Sequence, residues 1–136
     1  MKLVYIASPF AGDMENNTQK AREYCLSAIE EGVVPVAPHL LYPQFLDDGD
    51  PRQRSLGLQA GLDLLARCDE LWVCGDEISP GMSREIQFAK GLGIPVRHMD
   101  FAQEQKVVLA LCRSAAYLTV LVDSYWRQNA PASKPY

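Results

Sequence analysis

The chain has 136 residues, 48% of them hydrophobic and 22% charged, which suffices for one domain whose core needs neither disulfides nor metal. A formal net charge of −4, with no basic cluster beyond Pro51-Arg52-Gln53-Arg54, argues against a nucleic-acid partner. Four cysteines without a Cys-x-x-Cys pattern and only two histidines, His39 and His98, read as reduced core thiols of a cytoplasmic protein with no zinc site and no cofactor.

The start, Met1-Lys2-Leu3-Val4-Tyr5, lacks the pattern of a secretion signal, and no apolar run reaches the roughly 20 residues of a membrane span. Leu3 to Ala7 is apolar throughout, as a strand buried on both faces is. Ser8-Pro9-Phe10-Ala11-Gly12-Asp13 breaks it, and a helix follows, capped by Asn16 with Gln19 three residues on and ending at Gly32. Val33 to Ala37 is a second strand, so the first third is a βαβ unit with parallel strands and a right-handed crossover.

Residues 38–49 form a loop rich in proline and aromatics, of a length that is often functional. His39 either contacts a ligand as a general acid or base or holds the loop, and Tyr42 and Phe45 either stack on a base or pin the loop to the core. Asp50 caps a helix with Pro51 at its first position and Leu58, Leu62 and Leu65 facing inward. Gly57 and Gly61 clear a strip on it for close packing. Arg52 and Arg54 at its entry are either phosphate ligands or solvated charges, and Asp63 is either polar surface or a hydroxyl ligand.

The stretch from Cys68 to Ala89 is a short apolar strand, a Gly/Ser/Pro turn and a helix. Ser79 caps this helix with Pro80 first, so its N–H groups and dipole face an anion or sugar hydroxyls. Met82, Glu85, Ile86 and Ala89 fall in one sector, which puts a carboxylate on the face due for burial. Gly91-Leu92-Gly93 ends the helix and Ile94 to Arg97 starts a fourth strand.

The pattern predicts a three-layer α/β sandwich around a doubly wound parallel sheet of four to five strands, flavodoxin- or Rossmann-like. Ligands in such sheets bind at the carboxyl ends of the strands, where the loops 8–13, 39–48 and 75–85 converge. Residues 103–127 read as a helix apolar nearly all round, whose burial calls for self-association as a homodimer or larger homo-oligomer. The expected domain is 1–128, followed by a loose tail over 129–136.

Tyr5-Ile6-Ala7-Ser8-Pro9-Phe10, Cys68-Asp69-Glu70-Leu71-Trp72-Val73, Ser79-x-Gly81-x-x-x-Glu85 and Gly93-Ile94-Pro95-Val96 resemble the nucleoside 2-deoxyribosyltransferase-like superfamily. That superfamily includes the 2′-deoxynucleoside 5′-monophosphate N-glycosidases, and the likeness is strongest to an uncharacterised branch in bacteria and their phages. It runs from Leu3 to Val96. It implies a nucleoside or nucleotide ligand and a role for Glu85 as the glutamate that attacks the sugar C1′. Ser79 and Gly81 match the loop holding the 5′-phosphate or sugar, and Tyr5 and Ser8 match the first-strand motif lining the same pocket. Pro9, Phe10, Met82 and Arg52 complete the substrate-binding candidates. Active relatives carry an aspartate eight residues before the position of Asp69, where this chain has Gly61. Either Asp63, Asp76 or His39 supplies the proton to the leaving base, or the chain is a non-catalytic nucleotide-binding module.

Overall fold

The computed structural model describes residues 1–101, 122–125 and 127–128. The chain divides into two compact units, Met1–Phe101 and Ala102–Tyr136, and each is considered by itself. Most of the expected last helix lies outside the described residues, and with it the argument for self-association. The six described residues of the second unit are helical.

The first unit runs β1 (Leu3–Ala7), α1 (Met14–Glu30), β2 (Val34–Val36), α2 (Pro38–Leu41), a 3₁₀ turn (Tyr42–Gln44), α3 (Pro51–Leu65), β3 (Glu70–Cys74), α4 (Pro80–Gly91) and β4 (Val96–Met99). The strands form a parallel sheet of order β2-β1-β3-β4. Period-two alternation sends Tyr5, Ala7, Leu71 and Val73 to one face, where they pack with Leu65 of α3 and Met82 and Ala89 of α4. Val4, Ile6, Trp72 and Cys74 go to the other face, with Ala28 of α1 and Phe101. Because β1 and β3 are covered on both faces, they need the continuous apolar runs that their sequences carry.

Two local expectations are corrected. Asp13, not Asn16, caps α1: its Oδ1 accepts from the Asn16 N–H at 3.2 Å, and Asn16 lies inside the first turn. The Asn17 amide reaches back to the carbonyls of Phe10 and Ala11 and ties the β1–α1 loop to the helix start. The 38–49 segment is not all loop, because Pro38 starts one helical turn and Tyr42-Pro43-Gln44 another. The caps at Asp50 and Ser79 form as expected. Asp50 accepts from the Arg52 and Gln53 N–H groups, and Ser79 Oγ accepts from the Met82 N–H.

At the amino-terminal end of β3, Glu70 is buried and accepts from Lys2 Nζ at 2.9 Å and from the Trp72 indole at 2.8 Å, with Arg97 at 3.7 Å. Those partners hold its carboxyl below the usual glutamate range. The stabilisation is therefore present above the unfolded value of about 4.3 and is lost as pH falls through the lower folded value. Both cations are more than half exposed, so solvent screens their share of this stabilisation. Glu70→Gln is expected to lower stability by about 1 kcal/mol near neutral pH. The melting difference from the parent should narrow as pH falls below about 4, which thermal melts across pH would check.

Candidate functional site

The site follows from where the topology reverses. β1 and β3 leave the sheet centre with their crossovers on opposite faces, so a crevice opens beyond their carboxyl ends. Gly75, directly after β3, lets the chain turn away at φ +94°; a Cβ there would meet Tyr24 Oη at 3.3 Å and Pro9 Cδ at 3.6 Å. Tyr5 points from β1 toward α3 and α4 and is only 2% exposed.

Its hydroxyl donates to Glu85 Oε1 at 2.7 Å, joining positions 80 residues apart. Burial raises the Glu85 pKa, while the Tyr5 hydrogen bond and the Arg84 charge pull the other way. The Tyr5 phenol is pushed up by burial and then by the Glu85 charge, so it keeps its proton and acts as the donor. The pair is a carboxylate with one oxygen anchored and the other available.

A cavity of about 190 Å³ opens beside this pair. It is lined by Gly57, Leu58, Gly61 and Leu62 of α3 and by Pro38, His39, Tyr42 and Leu46 of the segment after β2. The glycine strip serves this cavity: a Cβ at Gly57 would meet Leu46 Cδ1 at 3.2 Å, and one at Gly61 would meet Tyr5 Oη at 3.5 Å. Charged groups gather at Asp48, Arg54 and Arg84, with Arg54 and Asp48 paired at 3.6 Å and both more than half exposed.

His39 Nε2 lies 2.9 Å from Ser8 Oγ, and burial pushes the imidazole down to about 4. It is therefore neutral near pH 7, with its tautomer set by which partner of the Ser8 bond carries the proton. The Phe10 ring stands 6.2 Å from that of His39 at 55°. Tyr42 meets Phe45 edge-on at 5.9 Å.

The fold thus gathers Tyr5, Phe10, His39, Gly81 and Glu85 around one cavity, with Ser8 hydrogen-bonded to His39. The other sequence candidates lie elsewhere. Met82 is core, Ser79 is occupied as a cap, and Pro9 packs near Gly75. Asp63 is exposed and accepts from the Gln59 amide, while Asp76 and Arg52 are exposed and outside the cavity lining. Arg54 and Gln53 line it in place of Arg52, since each step along α3 turns the side chain by about 100°. Arg84 and Asp48 were not anticipated. The signal for Arg84 was its place beside Glu85 in the first turns of α4.

Among the described residues no group of three or more His, Cys, Asp or Glu side chains could hold a metal. No helix among them is long and apolar enough to cross a membrane.

Residues 2–99 match the sequence profile of a family described as "Domain of unknown function (DUF7768)". No curated protein matches the chain. A solved 2-deoxyribosyltransferase from the psychrotolerant bacterium Bacillus psychrosaccharolyticus is similar at a TM-score of 0.57 and 21% identity, over 71% of this chain and 70% of that one. That likeness shows a shared α/β fold.

Proposed function

This chain belongs to the DUF7768 family, and we propose that it binds a nucleoside or nucleotide in the cavity beside Glu85 and cleaves or transfers the N-glycosidic bond, with Glu85 as nucleophile. The observation that carries the reading is the Glu85 carboxylate, anchored through one oxygen by Tyr5 at the edge of an aromatic and apolar cavity. A carboxylate so placed attacks the anomeric carbon and turns one hard displacement into two easier ones, the second completed by water or an incoming base. Tyr5 keeps the carboxylate in position, and the rings of Phe10 and Tyr42 offer stacking surface to the base. The fold shared with a 2-deoxyribosyltransferase supports the reading.

The α3 wall, with no side chain at Gly57 or Gly61, favours one second reading, a module that binds a nucleotide without turnover. Incubation with a panel of nucleosides and nucleotides, with chromatography for free base and calorimetry for binding, tests both. Released base supports the enzyme. Binding heat without release supports the module, and neither signal overturns both.

The reaction needs ionised Glu85, whose pKa is raised. kcat/KM is therefore expected to rise along an acidic limb centred above the ordinary glutamate value of about 4.3. Tyr5→Phe removes a hydrogen bond that favours the carboxylate, so the limb should move to higher pH. A limb that stays in place or moves down would separate Tyr5 from Glu85 ionisation. The pH profile of the two proteins decides this.

A further inference from the structure

Resting on the N-glycosidase reading, we propose that the preferred substrates are N-glycosides whose base already carries a positive charge, pyridinium nucleosides or N7-alkylated purine nucleosides and their phosphates. The cavity offers a departing base little to protonate it. An ordinary purine or pyrimidine leaves as a poor, anionic leaving group unless an acid protonates it as the bond breaks. The α3 wall presents Gln53, Arg54, Gly57, Leu58, Gly61 and Leu62 to the cavity, with no carboxyl among them. At Gly61, which is buried, a Cβ would stand 3.5 Å from the Tyr5 hydroxyl, so this position lies next to the Glu85 anchor and carries no side chain.

The carboxyl and imidazole groups of the lining are otherwise engaged, and of its two phenols Tyr5 donates to Glu85 while Tyr42 meets Phe45 edge-on. Glu85 is the nucleophile, Asp48 is paired with Arg54, and His39 is buried as a neutral ring against Ser8. The guanidinium groups of Arg54 and Arg84 do not give up protons. A neutral imidazole donates a hydrogen bond but does not deliver a proton as a cation would.

A flat cationic ring suits what remains. Phe10, His39 and Tyr42 offer ring faces and edges to it, and aromatic faces attract cations. The Glu85 carboxylate adds a negative charge beside them.

The step balances without an acid. The free oxygen of Glu85 bonds to C1′ as the C1′–N bond breaks, and the bonding pair neutralises the cationic ring, so the base leaves neutral. Water then cleaves the glycosyl ester, giving its hydroxyl to C1′ and its proton to solvent, and Glu85 returns as a carboxylate.

The test uses the intact chain and matched pairs: 7-methylguanosine against guanosine, and nicotinamide riboside against inosine, each with its 5′-phosphate. The kcat/KM for the charged member is expected to exceed that of the neutral one by at least about 100-fold, the scale of a missing general acid. Gly61→Asp, which places a carboxyl beside Tyr5, is expected to lower affinity for both members of a pair but to narrow the gap between them by raising kcat for the neutral one. Neutral and charged members cleaved within about threefold of each other would overturn the inference and leave the N-glycosidase reading standing. A folded Gly61→Asp with an unchanged gap would also overturn it, since proton supply would not set the preference. No base released from any member would overturn the inference and the reading beneath it together.

Discussion

Glu85→Gln is expected to cut base release by at least about 10³-fold while changing ligand affinity by less than about tenfold, because the lost interaction is made only as the bond to C1′ forms. The amide keeps the shape and can still accept from Tyr5, so the cavity should survive the change. The same substitution carries a stability signature of opposite sign. Burial raises the folded-state pKa of Glu85 above its unfolded value. A group shifted in that direction contributes stability that is fully present below the unfolded pKa and is lost as pH rises through the folded one. At neutral pH the parent therefore holds a costly carboxylate that the variant lacks, and Glu85→Gln should melt at or above the parent. Below about pH 4 that advantage should vanish, since both side chains are then neutral. Single-turnover assays and melts at acid and neutral pH read the two effects separately. Unchanged turnover would remove Glu85 from the chemistry.

Gly61→Leu is expected to abolish ligand binding, by at least about 100-fold in affinity, without loss of fold. The first added carbon meets only ordinary contacts, Tyr5 Oη at 3.5 Å and Pro38 Cβ at 4.0 Å. The remaining three carbons must then extend into a cavity of about 190 Å³ that Gly61 lines. Replacing a helix-interior glycine also gains about 0.5–1 kcal/mol of helix propensity, so the melting temperature should hold or rise. Gly57→Ala is the contrasting case. Its Cβ would meet the tip of Leu46 at 3.2 Å, and a flexible side chain can give way. Calorimetry on both variants tests the assignment, and full affinity in Gly61→Leu would put the ligand elsewhere.

How far the site was legible depends on the range of the interaction that makes it. The apolar runs at Leu3–Ala7 and Glu70–Cys74, the Asp50-Pro51 and Ser79-Pro80 helix starts, and Glu85 on the inward sector of α4 are all visible in a window of one or two turns. The start of α1 was misread within such a window, because Asp13 and Asn16 are both good capping types. The Asn17 bonds to the preceding loop and the turn at Gly12, φ +94°, go with the earlier start. Residues 38–49 were misread for a related reason. Their prolines signal a loop, yet Pro38 and Pro43 each occupy the early helical position that proline tolerates.

By itself, then, the sequence determined the parallel α/β class, the caps at Asp50 and Ser79 and the inward face of α4, since hydrophobic period and capping chemistry are local. Only the tertiary structure decided which side chains meet. Tyr5 reaches Glu85 across 80 residues and Ser8 reaches His39 across 31, through a sheet order of β2-β1-β3-β4 that no local pattern encodes. The same placement put Arg54 rather than Arg52 at the cavity, and Gly61 rather than Asp63. In both cases two residues along a helix turn a side chain by about 200°, and only the packing of α3 against its neighbours fixes which of the two faces inward.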